Sequence, residues 1–234
     1  MAVPTAVAIL EVDMAAVHAV AMVAGATGLV GQEILAALLA DKRYLAVHCV
    51  GRRPPAVQHP KLQFHRVDFA SSTDLAGLPK VDECYIALGT TIKVAGSQEA
   101  FRAVDLEAVE SLALAARRAG ATHLGVISAM GADAHSRVFY NRVKGEMELS
   151  VARMGYPCLV IARPSLIDGD RAALNQPGRA GEGLGLRLAR LASPLIPANY
   201  RAIKASDIAR AVIKAVQAST PGVVTLMSRE MQGG

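Results

Sequence analysis

The chain has 234 residues, enough for one domain with a real hydrophobic core. The 52% of them that are hydrophobic are largely alanine and valine, as in α/β proteins with buried parallel strands. Its formal charge of +5 is scattered: Arg52-Arg53, Arg117-Arg118 and the Arg187/Arg190 pair are too short for a nucleic-acid-binding stripe, and with no Trp and four Phe there are few platforms for stacking bases. Cys49, Cys84 and Cys158 each lie inside an apolar run without metal-ligand spacing, which argues against a disulfide scaffold and a metal site and predicts reduced core thiols in a cytoplasmic protein.

Residues 1–16 read as an N-terminal extension, and residues 17–234 as a single nucleotide-binding domain. Met14 to Gly31 is eighteen residues long without Asp, Glu, Lys or Arg. It is nevertheless not read as a membrane span, because Gly25, Gly28 and Gly31 interrupt it. Glu11 and Asp13 stand where a secretory signal would carry positive charge. No integral membrane segment is expected.

His18 to Ala24 is an apolar run that predicts the first strand, and Gln32 to Ala40 predicts a helix. Between them lies GATGLVG, with Gly25, Gly28 and Gly31 in a G-x-x-G-x-x-G pattern. A tight strand-to-helix turn of this kind lets the backbone approach a diphosphate, and the helix N-terminus offers free N–H groups to it. Ala46 to Gly51 is the second strand, followed at once by Arg52 and Arg53. In dinucleotide folds an acid at this tip would hold the 2′-hydroxyl of NAD, whereas arginine accommodates the 2′-phosphate of NADP. No Asp or Glu occurs between Ala46 and Gln63, so NADP(H) is expected ahead of NAD(H).

Leu62 to Val67 predicts a third strand ending at Asp68, whose carboxylate could accept from an adenine amino group or cap the next turn. Cys84 to Leu88 is a fourth strand, and Gly89-Thr90-Thr91 after it suits a ribose and phosphate lining. Ser97 to Ala119 reads as one long helix stopped by Gly120, with Asp105 in its interior. His123 to Ser128 is the fifth strand, and Cys158 to Ala162 the sixth, ahead of Arg163-Pro164. Residues 168–200 are rich in Gly and Pro and read as a small substrate or lid segment that could also meet a protein partner. A helix over Ile203–Gln217, a short last strand over Val223–Met227 and a loose tail complete the chain.

The stretch from Ser128 to Leu149 carries the chemistry. Val138, Phe139, Val143, Met147 and Leu149 recur at helical steps, so Tyr140 and Lys144 share one helix face with Cβ atoms roughly 5–6 Å apart. Ser128 sits at a strand's carboxyl end, where open α/β sheets place their ligands. Reducing a carbonyl requires a hydride on carbon and a proton on oxygen. A phenol can give that proton, and an ammonium on the same helix face favours its anion. A serine hydroxyl at the strand's end can hold the carbonyl oxygen. Alternating strands and helices predict a doubly wound parallel α/β sheet of order 3-2-1-4-5-6 with a short final strand.

Together GATGLVG, ALGTT, SAMGAD, YNRVKGEME and ARPSLIDGDR resemble the short-chain dehydrogenase/reductase superfamily. Within it they resemble the atypical NAD(P)-binding group that includes the human HIV Tat-interacting protein and its small bacterial relatives. The resemblance runs from His18 onward and implies a Rossmann fold. It further implies NADP(H) lying along Gly25, Thr27, Gly28, Leu29, Val30 and Gly31, with Arg52 and Arg53 near the 2′-phosphate. Leu88, Gly89 and Thr90 would lie beside the cofactor, and Arg163 and Pro164 fall in the family's order. Lys144 would hold the nicotinamide ribose, and Tyr140 would be the acid/base. Two departures stand out: ALGTT replaces the usual Asn-Asn-Ala-Gly, and Asp105 stands where many members carry a proton-relay asparagine.

The expected function is therefore an NADP(H)-dependent oxidoreductase acting on a small carbonyl or alcohol, with Ser128, Tyr140 and Lys144 as its catalytic residues. The alternatives are a non-catalytic NADPH-binding regulatory module and an epimerase- or dehydratase-like enzyme that keeps its cofactor. The oligomeric state is left open.

Overall fold

The computed structural model describes residues 18–168 and 197–232. The N-terminal extension and nearly all of the 168–200 segment lie outside the described residues, and with them any test of that domain division.

Seven strands form one sheet in the order β3-β2-β1-β4-β5-β6-β9, every neighbouring pair parallel. They are β1 (Ala19–Ala24), β2 (Tyr44–Gly51), β3 (Leu62–Arg66), β4 (Glu83–Ile86), β5 (His123–Ile127), β6 (Cys158–Arg163) and β9 (Gly222–Met227). The expected order holds, and the short last strand extends it beyond β6. A second, two-residue parallel pair joins β7 (Ile167–Asp168) to β8 (Ile203–Lys204).

Alternation along the strands divides the core into two layers, because successive side chains leave a strand on opposite faces. Ala21 and Val23 of β1 and Tyr85 of β4 face one layer, while Met22, Ala24, Cys84 and Ile86 face the other. The first layer is covered by α1 (Leu29–Ala40) and α7 (Ala205–Gln217), through Ile34, Leu35, Leu38, Val212 and Val216. The second is covered by the helices before β5 and by α6 (Phe139–Ala152), through Phe101, Leu112, Met147 and Val151. All three cysteines are buried and unbridged. Among the described residues no helix is long and apolar enough to cross a membrane.

The chain between β3 and β5 departs from the sequence-based expectation. Short helices α2 (Ser72–Ala76) and α3 (Ile92–Ala95) form in stretches that the sequence reading assigned to no element, each capped by a hydroxyl: Ser71 accepts from Asp74 N–H and Thr91 from Val94 N–H. The single helix expected over Ser97–Ala119 is α4 (Gln98–Arg102) and α5 (Ala108–Arg118), joined by a π-helical turn over Ala103–Glu107. Hydrophobic periodicity does not reveal one extra residue in a helix. The described part of the tail is not loose: α8 (Ser228–Met231) buries Met231 to 2% exposure.

At the amino end of the sheet a charge is buried. Glu83 is 1% exposed and accepts from Arg43 Nη2 at 2.7 Å, Tyr44 Oη at 2.6 Å and Tyr85 Oη at 2.7 Å. A buried carboxylate is tolerable only when paired and hydrogen-bonded, and here three donors do that work. Burial and the adjacent Glu83 push both phenols above the ordinary tyrosine range. The folded protein therefore keeps two protons that the unfolded chain releases from about pH 10 upward. This stabilisation is complete below that pH and is lost as pH rises past it. Stability is expected to fall by up to about 2.7 kcal/mol per pH unit from the two phenols together. Thermal unfolding followed from pH 8 to about pH 11 checks it; a midpoint that does not move across that range contradicts the assignment.

Candidate active site

The sheet's strand order reverses between β1 and β4, and the crevice at their carboxyl ends is where ligands of such folds bind. Two glycines make that crevice. Gly25 has φ of 81°, and a Cβ there would lie 2.3 Å from the carbonyl oxygen of Ala87 after β4. A Cβ on Gly31 would lie 2.1 Å from the carbonyl oxygen of Gly25. Backbone thus occupies the space of two side chains, and α1 starts hard against the strand end. Gly28 differs: its φ of −92° suits any residue, and a Cβ would meet only Gly25 O, at 3.3 Å. What a side chain at Gly28 would fill is the open space in front of the helix. Gly28 caps α1 without a side-chain bond, and no acidic residue stands in the first turn.

A cavity of about 500 Å³ opens in front of this loop. Gly25 and Thr27 line it on one side, and Gly51, Arg52, Arg53 and Asp68 on another. Leu88 and the π-turn residues Val104 and Glu107 complete it. The fit to a dinucleotide is carried by this hollow and the uncapped helix start behind Gly28. Arg52 and Arg53 are exposed, and neither side chain has an ion-pair partner among the described residues. Asp68 lines the cavity and also caps its own turn, its Oδ1 accepting from Ala70 N–H at 3.0 Å. Val30, expected along the cofactor, points its side chain into the core at 5% exposure, because it lies one step round the helix from the glycine face. Leu29 packs in part on the same core layer. Phe69, Val104, Glu107 and Ser111 of the lining carried no motif, and only the fold brings them to the loop.

A second hollow, of about 420 Å³, lies beside Tyr140. Thr91, Ile92, Ala129 and Met130 form one part of its wall, and Pro164, Ser165 and Leu166 another. Tyr140 packs on Phe101, ring centroids 5.5 Å apart, and its hydroxyl has no hydrogen-bond partner among the described residues. Lys144, one turn further along α6, is 2% exposed, and its Nζ stands 2.7 Å from Oδ1 of Asp105, itself 1% exposed. This is a pairing by charge, and Oδ1 accepts no hydrogen bond. The other oxygen, Oδ2, accepts from Thr90 N–H at 2.8 Å. Gly89 lies over the pair; a Cβ on it would be 3.4 Å from Oδ1. The π-turn is what brings Asp105 there, since such bulges insert a residue into a helix and are frequent at functional sites.

Ser128 does not take the position expected of it. It is 5% exposed, and its hydroxyl donates to Glu148, on the inner face of α6. The neighbouring Ala129 and Met130 line the hollow instead. The guanidinium of Arg163 is likewise directed to Glu148, with Nε 3.0 Å from Oε1, so it faces α6 one turn beyond Lys144 while Pro164 reaches the hollow. Glu148 is thus a buried acceptor shared by two residues that were expected to touch ligands. It lies four residues beyond Lys144, and its helical spacing could have signalled it. Gly145 was also missed: a Cβ on it would lie 2.1 Å from the backbone nitrogen of Ala134, so only glycine lets α6 close on the loop after β5. Among the described residues no three His, Cys, Asp or Glu side chains gather as metal ligands would.

Comparison with known proteins agrees with this geometry. Residues 25–154 match the NAD(P)H-binding family. Protein fmp52, mitochondrial, from Emericella nidulans is 36% identical over 154 residues, which are 63% of this chain and 66%, just under two thirds, of that protein. Among solved structures, the Bordetella bronchiseptica enzyme WbmF in complex with NAD+ superposes with a TM-score of 0.68 at 15% identity, covering 93% of this chain and 77% of that one. The UDP-N-acetylglucosamine 4-epimerase from Methanobrevibacter ruminantium M1 gives 0.67 at 16% identity, covering 90% and 76%. At such identities the likeness speaks for the fold. The expectation of a cytoplasmic protein is overturned, because curated relatives are named mitochondrial; buried thiols report the absence of a disulfide, not an address. The chain belongs to the NAD(P)H-binding family, with a Rossmann domain consistent with an atypical short-chain dehydrogenase/reductase.

Proposed function

We propose that the chain is an NADP(H)-dependent oxidoreductase acting on a small carbonyl or alcohol, with Tyr140 as its acid/base. The observation that carries this reading is the Tyr140 hydroxyl, unpartnered among the described residues and open to a hollow at the carboxyl end of the sheet. The cofactor would be held along Gly25, Thr27, Gly28 and Gly31, between Arg52 and Arg53 on one side and Leu88, Gly89 and Thr90 on the other. When bound, it supplies the hydride. Tyr140 gives the substrate oxygen its proton, and Lys144 holds the ribose from one helical turn away. Asp105 fixes the Lys144 ammonium and, through Thr90 N–H, the loop after β4. Ser128 holds Glu148 and through it α6, one turn beyond Lys144.

A second reading, a cofactor-binding module without turnover, is favoured by the same inner residues. Lys144 is already neutralised by Asp105, and Ser128 is turned away from the hollow. Turnover of a carbonyl by the purified protein separates the two readings.

NADPH is expected to bind at least about tenfold more tightly than NADH, a difference of about 1.4 kcal/mol, because two cationic side chains and no acid follow β2. The double substitution Arg52→Ala, Arg53→Ala should remove most of that difference. Titration calorimetry with both cofactors measures it, and equal affinities in the unmutated protein would remove the basis for the NADP(H) assignment.

Tyr140→Phe keeps the ring against Phe101 and removes only the hydroxyl. The turnover number should fall by about 10²–10⁴-fold, the usual worth of general acid catalysis, with NADPH affinity unchanged. Ser128→Ala should instead lower the unfolding midpoint, since Glu148 loses a buried donor, at a cost of about 1–3 kcal/mol. Full activity in Tyr140→Phe would sink the proposed acid/base.

A further inference from the structure

We infer that the hollow beside Tyr140 takes an apolar carbonyl compound, an aliphatic or aromatic aldehyde or ketone bearing one oxygen and no charge. This rests on the oxidoreductase reading and adds the chemical class of the substrate. A hollow of about 420 Å³ is within the range of small-molecule sites. Ile92, Ala129, Met130, Pro164 and Leu166 give its described wall an apolar surface, and among the described residues no charged side chain lines it.

The polar groups in the wall decide the class. Three hydroxyls reach it, from Thr91, Tyr140 and Ser165. Thr91 Oγ1 already accepts from Val94 N–H at 3.2 Å, capping α3. Ser165 Oγ donates to the carbonyl of Arg201 and stands 2.9 Å from Ser228 Oγ. Among the described residues this leaves the Tyr140 hydroxyl and the hydrogen of the Thr91 hydroxyl to donate to a substrate oxygen, which one carbonyl oxygen with its two lone pairs can accept. Of the cations that flank this wall in the chain, Lys144 is committed to Asp105 and Arg163 to Glu148, while the exposed Lys93 and the half-buried Arg142 are not part of its described lining. A carboxylate or phosphate entering here would lose its water without gaining a counter-charge, and a polyol would bury hydroxyls without partners. A hydrocarbon chain meets no such cost and exchanges water for contact with Met130, Ile92 and Leu166. The class so defined differs from nucleotide sugars, which need cations for a diphosphate and partners for several hydroxyls.

The test uses the full chain loaded with NADPH. In the series propanal, butanal, pentanal, hexanal, kcat/KM should rise by roughly three- to fourfold per methylene, the worth of burying one CH₂, and succinic semialdehyde should be at least about tenfold poorer than butanal of the same carbon count. Met130→Lys should reverse the preference, lowering hexanal and raising succinic semialdehyde. A second readout needs no turnover: hexanamide should bind the NADPH-loaded protein, by calorimetry, at least about tenfold more tightly than adipamic acid, which adds a carboxylate to the same chain. A flat series, or preference for the charged aldehyde, overturns the substrate class and leaves the oxidoreductase reading standing. If no aldehyde is reduced, the oxidoreductase reading falls, and the amide pair alone decides the class: tighter hexanamide upholds an apolar site, and equal or no binding overturns it.

Discussion

The whole arrangement depends on how closely three pieces of backbone meet at the end of β1. Gly25 leaves the strand with positive φ against the Ala87 carbonyl, and Gly31 brings the first turn of α1 onto Gly25. Contacts of this kind leave no room for even one carbon atom, so the three segments hold a single relative position. That position puts a helix start, with its free N–H groups, at the point where the strand order reverses. The first cavity is the space that results. It is bounded by the tip of β2 on one side and by the π-turn on the other, neither of which touches the glycine loop in sequence.

Around that fixed point the buried charges determine which side chains are available to a ligand. Asp105 engages Lys144 and the loop after β4, while Glu148 engages Ser128 and Arg163. Removing one member of such a pair leaves an uncompensated charge in a place without water, which is costly. Both pairs therefore hold α6 in place as well as shaping its chemistry: one ties its buried face at Lys144 to the π-turn before α5, the other ties it one turn later, at Glu148, to β6 and the residue after β5. Tyr140 lies between them with its ring supported by Phe101 and its hydroxyl uncommitted among the described residues. On the reading proposed above, the selectivity of the second hollow follows from what its neighbours have already bonded, more than from what it contains.

Much of this could be read from the chain before folding. The glycine loop, the strand-helix alternation and the Tyr140–Lys144 step depend on local spacing, and local spacing is visible in a sequence. Arg52 and Arg53 were legible for the same reason, standing directly after a strand. What could not be read depends on partners distant in the chain. Ser128 stands where a catalytic serine would, but its direction is decided by Glu148, twenty residues on. Arg163 is decided by the same carboxylate, and Val30 by the core under α1. The Glu83 network, with Tyr44 and Tyr85, has no motif at all; it exists because β1, β2 and β4 are neighbours. The two-residue β7–β8 pair joins residues 167–168 to 203–204, on either side of the stretch read as a substrate or lid segment, and no pattern in the sequence signalled it.

The π-turn over Ala103–Glu107 has a genetic consequence. One surplus residue in a helix can be lost by deleting a single codon, and the remaining chain would close into an ordinary α-helix. A π-turn absorbs its surplus residue locally, so such a deletion would leave the two halves of the helix close to their present register and change chiefly the residues of the turn itself. Phe101 on one side and Leu112 on the other are both fully buried and could keep their packing, so the loss would fall on the turn between them. Asp105 would leave Lys144, and Val104 and Glu107 would leave the first cavity, in a single step. Substitutions can erode this site one contact at a time, whereas a one-codon length change here reaches both hollows at once. Insertions and deletions should consequently be far rarer in lineages of this protein between Gln98 and Arg118 than in the loops on either side.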